Sequence, residues 1–119
     1  MRPSPAGRRG SLTVTVQANR HVVYSTQLVR LLEAIAATGS INAAASRLNL
    51  HYRRAWGLVH ALETHLATPL LETHTGGSHG GGSGLTPAAR RYLKHAQRLH
   101  HQLERLLVAH GLSAPPASK

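Results

Sequence analysis

Three helix-length hydrophobic patterns, separated by two short interruptions, limit the fold of this chain more than any other feature. The first pattern follows a cap at Ser25 or Thr26, repeats apolar residues every three or four positions, and ends at Gly39, a residue type that commonly terminates helices. Ser40 then caps a second, shorter helix that runs to Leu48. The small apolar residues of this second helix predict close approach to a neighbouring helix.

A third helix is predicted after a tight connection at Asn49-Leu50, and Pro69 prevents further helix beyond its end. One face of this helix is apolar and consists of Tyr52, Ala55, Trp56, Val59, Leu62 and Leu66. We expect Tyr52 and Trp56 to pack in the core, with stacking on nucleic-acid bases as the alternative. Basic side chains concentrate in the first turn of the opposite face, which carries Arg53, Arg54, Gly57, His60 and Thr64.

Short strands are predicted on both sides of these helices. Ser11–Gln17 alternates apolar and polar residues, and His21–Tyr24 follows a turn-prone segment, which indicates a hairpin. Leu70–Thr73 is a further candidate strand, and Leu85 belongs to its returning partner. Between them, six of the eleven residues in His74–Gly84 are glycine, which predicts a flexible loop.

A long final helix is predicted from Thr86-Pro87, a cap followed by proline at the first helical position, to about Ala109. At about 1.5 Å per residue this helix reaches about 34 Å, too long to be covered by so small a body. Its apolar residues recur at alternating spacings of four and three, which is typical of two helices paired along their length. We therefore predict a homodimer in which residues 87–109 form the dimerisation helix, with contacts from Tyr92, Ala96, Leu99, Leu103 and Leu106.

The charge balance favours a polyanionic partner. The 119 residues include 14 Lys and Arg against four acidic residues, and the formal net charge is +10. A positive field of this size favours nucleic acid as the partner, with an acidic protein or an anionic membrane as the alternatives. The length predicts one domain, residues 11–110, between a disordered basic arm at residues 1–10 and a flexible tail at residues 111–119. No apolar run is long enough to cross a membrane, so we expect a cytoplasmic protein.

Composition also excludes several kinds of catalytic and cofactor site. Cysteine and aspartate are absent and the four glutamates lie far apart, which excludes thiolate nucleophiles, Ser-His-Asp triads and paired-carboxylate hydrolases. No two of the ten histidines are three or four positions apart, so we predict no metal site. The glycine run lacks the Lys-Ser/Thr end of a nucleotide-binding P-loop. We therefore predict a protein that is not an enzyme and has no cofactor.

The order of these elements predicts a mainly α fold with a small β component, the winged helix-turn-helix. The second and third helices form the helix-turn-helix unit, the Gly-rich hairpin is the wing, and the last helix dimerises. In this geometry the third helix enters the major groove of duplex DNA, where Arg53 and Arg54 donate to bases or phosphates. An ordinary solvated face is the alternative for both arginines.

Several runs along the chain form a combination specific enough to indicate a family: Leu32–Leu48, His51–Trp56, Pro69–Thr73, Thr75–Gly77 with the glycine run behind it, and Leu85–Pro87. These runs resemble the DNA-binding domain of ModE-type molybdate-responsive regulators, which are relatives of the LysR-type winged helix. The resemblance covers residues 12–109 and implies a dimeric transcription regulator that binds a palindromic operator at the bacterial nucleoid. The molybdate-sensing part of that family is a separate C-terminal module. Because this chain stops at Lys119, we expect it not to bind molybdate or another oxyanion.

The helix-turn-helix geometry and the resemblance together predict the residues that contact DNA. These are Arg53, Arg54, Tyr52, Gly57, His60, Ser40, Asn42, His51, Thr75, Gly76, Gly77 and His79. Two other functions stay open. One is an architectural protein that coats DNA without sequence preference, and the other is a DNA-binding subunit whose last helix pairs with a separate sensor chain.

Overall fold

The computed structural model describes residues 13–74 and 82–112 and confirms the predicted winged helix-turn-helix order. The elements are β1 (Thr15–Ala18), β2 (His21–Ser25), α1 (Thr26–Thr38), α2 (Ile41–Arg47), α3 (Tyr52–Leu66), β3 (Leu71–His74), β4 (Gly82–Leu85) and α4 (Pro87–Ala109). The predicted basic arm, the loop residues 75–81 and residues 113–119 of the predicted tail lie outside the described residues.

Side-chain caps define the helix starts, as the sequence predicted. Of the two candidates before α1, Ser25 is the cap, and its hydroxyl accepts a hydrogen bond from the Leu28 amide at 2.9 Å. The Ser40 and Thr86 hydroxyls cap α2 and α4 in the same way. Gly39 ends α1 in the left-handed region, with φ of 74°, and its amide donates to the Ile35 carbonyl at 2.7 Å.

The first hairpin is joined by a two-residue turn. Asn19 and Arg20 both have positive φ, which is the type I′ geometry that suits the right-handed twist of antiparallel strands. The strand β1 begins at Thr15, later than predicted, and the predicted strand residues 11 and 12 lie outside the described part of the chain. Two hydrogen bonds of 3.1 Å between Val14 and Thr26 attach this hairpin to the start of α1.

The second hairpin, formed by β3 and β4, is rooted in the core. Leu70 and Leu85 are buried at its base, where Leu71 pairs with Leu85. The Thr86 amide donates to the Leu70 carbonyl at 3.0 Å, and the Thr86 hydroxyl donates to the Pro69 carbonyl at 2.9 Å. Since Thr86 also caps α4, one residue connects the hairpin base to the last helix.

Apolar side chains from all four helices and from the base of the second hairpin meet around α1. This helix contributes four fully buried side chains to the core: Leu28, Leu31, Leu32 and Ile35. The small face predicted for α2 is also confirmed, because Ile41, Ala44 and Ala45 are buried. Among the described residues, no helix is both long enough and apolar enough to cross a membrane.

The buried face of α3 is rotated from the predicted one. The buried residues are Ala55, Leu58, Val59 and Leu62, and Trp56 is half-buried against them. Tyr52 is 50% exposed and Leu66 is 38% exposed, so the prediction that Tyr52 packs in the core was wrong. Tyr52 is the first residue of the helix, and neighbouring elements do not cover it there. Leu58, which was not in the predicted set, is buried instead.

Part of the apolar face predicted for dimerisation on α4 is used within the chain. Ala96 is only 4% exposed and is a core residue, and the half-buried Tyr92 donates its hydroxyl hydrogen to the Val23 carbonyl at 2.5 Å. Leu103 is half-buried against the same core. Leu99 and Leu106, which are 39% and 53% exposed, are the large apolar side chains of the predicted set that α4 leaves open to solvent.

Burial raises the pKa of Tyr92 from 10.0 to about 12, and the nearby Tyr24 hydroxyl adds to this shift. The unfolded chain therefore loses this proton before the folded chain does. The stabilisation from neutral Tyr92 is fully present below pH 10 and is lost as the pH rises towards 12. We expect Tyr92→Phe to reduce the loss of stability between pH 10 and pH 12, measured by urea unfolding. Parallel losses in the variant and the wild type would contradict this origin.

Candidate nucleic-acid interface

The connection between α2 and α3 is tight and internally bonded. Asn49 has φ of 56°, in the left-handed region that asparagine tolerates better than most residues. Its amide donates to the Ser46 carbonyl at 3.2 Å, and the Leu50 amide donates to the Ala45 carbonyl at 2.8 Å. These bonds satisfy the end of α2 and direct the chain into α3. The first turn of α3 is thereby positioned at the surface.

The predicted outward face of α3 is confirmed by its exposure. All of its predicted members, Arg53, Arg54, Gly57, His60 and Thr64, are exposed. The outer surface beside Gly57 is open, because a methyl group added at its Cα would meet no atom within 4 Å apart from its chain neighbours and the backbone of its own helix. Hence the described residues leave room for another molecule to approach the backbone closely at this point.

The two arginines of the first turn have different surroundings. Arg54 donates from Nε and Nη2 to the side-chain oxygen of Gln27, at 3.0 and 2.8 Å. The side chain of Arg53 makes no hydrogen bond or ion pair with any described residue. The sequence does not predict the contact of Gln27 with Arg54, because the two residues are 27 positions apart and share no helical or strand periodicity.

The other predicted contacts before α3 lie near its first turn along the chain. Ser40 is half-buried and uses its hydroxyl to cap α2, accepting from the Ala43 amide at 3.0 Å. Asn42 is exposed in the first turn of α2. His51 is exposed at the N-cap of α3 and its side chain makes no capping bond. The exposed side chains of Asn42 and His51 are therefore free of capping roles.

An aromatic row runs along α3 and ends in a carboxylate. Tyr52 meets Trp56 edge-on with ring centroids 6.1 Å apart, and Trp56 stacks on His60 at 4.8 Å. His60 Nδ1 lies 2.9 Å from Glu63 Oε1, while Glu63 Oε2 accepts from the Leu70 amide at 2.8 Å. This row links the outward face of α3 to the start of the wing. In the described part of the chain no group of three or more histidine and glutamate side chains is arranged to hold a metal ion.

The hairpin of β3 and β4 occupies the position predicted for the wing, and His74 pairs with Gly82 at its described end. The wing residues predicted to contact DNA, Thr75, Gly76, Gly77 and His79, lie outside the described residues.

The basic residues of α4 form an exposed face of that helix. They are Arg90, Arg91, Lys94 and Arg98.

Comparison with known proteins identifies the family. The model of the lysR family of bacterial regulatory helix-turn-helix proteins matches residues 26–90. This chain belongs to that family. The match covers α1, the helix-turn-helix unit, the wing and the start of α4. The family is one of DNA-binding regulators, which agrees with the prediction that the chain is not an enzyme.

Curated relatives confirm the resemblance to ModE-type regulators. The chain is 37% identical over 94 residues to the transcriptional regulator ModE of Haemophilus influenzae, a match that covers 79% of this chain and 35% of that protein. It is 46% identical over 65 residues to the molybdenum-pterin-binding protein MopB of Rhodobacter capsulatus, covering 55% of this chain and 24% of MopB. The matches thus span about a third or less of these relatives.

A solved lysR-family structure shares the fold. The chain in the crystal structure of the CbnR DBD–DNA complex is 32% identical and superposes with a TM-score of 0.54, covering 66% of this chain and 85% of that one. CbnR itself is described as a LysR family transcriptional regulator. The family match, the curated relatives and this structure together identify residues 26–90 as a helix-turn-helix domain of the LysR/ModE type.

Glu63 stabilises the junction between α3 and the wing. Its carboxylate is the acceptor for the amide of Leu70, a fully buried residue. We expect Glu63→Ala to lower the free energy of unfolding by about 1–3 kcal/mol, because it leaves that amide without an acceptor. Glu63→Gln keeps an acceptor oxygen and is expected to lose less than half as much. Urea unfolding of both variants checks this, and equal losses would contradict the assigned bond.

Proposed function

We propose that this chain is the DNA-binding part of a transcription regulator and binds a palindromic operator as a homodimer, with α3 of each protomer in a major groove. The observation that carries this proposal is the exposed first turn of α3, where two arginines stand on a helix whose other face is buried. A major groove about 12 Å wide admits an α-helix, and arginine matches the O6 and N7 acceptors of guanine. The LysR/ModE family of the chain supports the same geometry.

We further propose that the neighbouring exposed residues complete the DNA contact. Tyr52, Asn42 and His51 extend the donors of α3 and α2, and Ser40 offers a hydroxyl beside them. The open surface at Gly57 accommodates close approach of a base edge or the phosphate backbone. His60 adds a donor one turn further along α3. The wing residues Thr75, Gly76, Gly77 and His79 contact the DNA next to this groove.

The ligand that we propose for residues 13–112 of each protomer is duplex DNA and not an oxyanion. The formal charge of +10 strengthens DNA binding at low salt for every sequence, and it also favours the alternative function of an architectural protein. The two functions differ in their response to salt. A sequence-specific regulator keeps a ratio of about 10³ or more between operator and random duplex as salt rises, whereas a coating protein loses nearly all affinity.

The first experiment is selection of bound duplexes from random DNA, followed by affinity measurements on the selected and on random sequences at two salt concentrations. A palindrome with half-sites separated by about 34 Å, or a multiple of it, is expected for a two-fold dimer. Selection of no preferred sequence would contradict the proposal and favour the architectural function.

We expect Arg53→Ala and Arg54→Ala each to weaken operator binding about 10-fold or more, because a bidentate arginine contact contributes about 1–3 kcal/mol. The matched control is Arg105→Ala, which removes the same charge from an exposed position on α4. Its loss should stay below about 2-fold at physiological salt, where screening weakens distant charges. Equal losses of affinity in all three variants would mean that the α3 arginines act only through their charge and make no specific contact with the operator.

The proposed dimer is tested most cleanly at Leu106. Leu106→Asp places a charge on the exposed part of the α4 face without disturbing the core of its own protomer. We expect monomers by sedimentation equilibrium and a lower operator affinity. Leu112→Asp, at an exposed residue outside the predicted contact set, is the control and should leave the dimer intact. A dimeric Leu106→Asp chain would contradict pairing through α4.

A further inference from the structure

A contact between α1 and α3 suggests a role for a residue outside the predicted interface. The side-chain oxygen of Gln27 accepts two hydrogen bonds from Arg54, from Nε at 3.0 Å and from Nη2 at 2.8 Å. We propose that Gln27 is a positioning residue that orients the Arg54 guanidinium for DNA. This inference rests on the proposed function and assigns to α1 a share in how α3 reads its site.

The residues that follow Gln27 and Arg54 in the chain are both held in the hydrophobic core. Gln27 lies between the Ser25 cap and Leu28, whose amide bonds to that cap and whose side chain is fully buried. On α3, the residue that follows Arg54 is Ala55, which is also fully buried. The side chains of Gln27 and Arg54 therefore extend from two points of the same rigid core. A contact between such points holds a side chain in one orientation, which a binding site requires.

The chemistry of arginine determines which edge stays available. A guanidinium has only donors, so the Gln27 oxygen, and not its amide nitrogen, must face Arg54. The Nε and Nη2 side of the planar group is occupied by this oxygen. The adjacent edge at the end of the group, made by Nη1 and the second hydrogen of Nη2, remains for a pair of acceptors. Guanine O6 and N7 form such a pair, as do two oxygens of one phosphate.

Arg53 provides an internal comparison. It lies in the same exposed turn and has no bonded partner among the described residues. A free arginine side chain loses rotamer freedom when it binds, whereas a side chain already held in place loses less. Removal of Gln27 should therefore affect the Arg54 contact and leave the Arg53 contact unchanged.

If Gln27 only stabilised the fold, Gln27→Ala would lower the thermal midpoint of unfolding. The contact with Arg54 is exposed, and exposed polar contacts add little to the stability of the fold. We therefore expect the thermal midpoint of Gln27→Ala to match that of the wild type. The matched control is Gln102→Ala, which removes the same side chain from an exposed position on α4.

The test is a double-mutant cycle on the full chain, with the selected duplex as the probe. We expect Gln27→Ala to weaken binding about 3-fold to 10-fold in the wild-type and Arg53→Ala backgrounds, within the coupling range of hydrogen-bonded neighbours. In the Arg54→Ala background it should change affinity by less than about 1.5-fold. Gln102→Ala should have no effect in any background.

Two further arms distinguish the acceptors of Arg54. Replacing guanine by 7-deazaguanine at each operator position removes the N7 acceptor, and the position that cancels the effect of Gln27→Ala identifies a base contact. If Arg54 contacts phosphate, no position cancels it, and Arg54→Ala lowers the salt slope by about one. Either result supports the positioning role.

An equal loss for Gln27→Ala with and without Arg54 would overturn the proposal, because Gln27 would then act on DNA by itself. An unchanged affinity in the wild-type background would overturn it as well. A wild-type chain that binds all duplexes equally would instead contradict the proposed function. The same cycle measured on random duplex then decides the role of Gln27 by the same criterion.

Discussion

Burial of one face of α1 is the constraint on which the rest of the structure depends. Leu28, Leu31, Leu32 and Ile35 are fully buried, and every other helix and the wing base pack around them. Loss of any one of these side chains would leave a cavity that costs about 2–5 kcal/mol, a large part of the stability of a small domain. The helix that carries the arginines has no fixed orientation without this support.

Local signals explain why so much of the fold was predictable. Ser25, Ser40 and Thr86 each satisfy an amide three residues later, and Gly39 adopts a conformation that other residues rarely enter. These helix starts and ends depend only on residues within one turn of the chain, so local sequence is enough to predict them. The exposed face of α3 was predictable for a related reason, since its buried face repeats at helical spacing.

Tertiary relations account for what was not predicted. Helical spacing identifies residues that share a face, but it does not say where neighbouring elements end, and so Tyr52 was placed inside and Leu58 was overlooked. Ala96 fits both a paired-helix pattern and a core position, and only packing against α1 distinguishes them. The contact of Gln27 with Arg54 joins two helices through exposed side chains, and no pattern in the sequence indicates it.

A carboxylate adds a direct link between α3 and the wing, the two elements that we propose contact DNA, beyond the core packing at the base of the wing. Glu63 lies on α3 and accepts the amide of Leu70 at the start of the wing, while its other oxygen meets His60 on the outer face. When a recognition helix is fixed to its wing, the distance between the hydrogen-bond donors of the two elements is fixed before DNA binds. Ordering on binding then consumes less of the interaction energy, and more of it remains to distinguish one base sequence from another. A protein that coats DNA gains nothing from such rigidity, whereas a regulator that selects an operator depends on it.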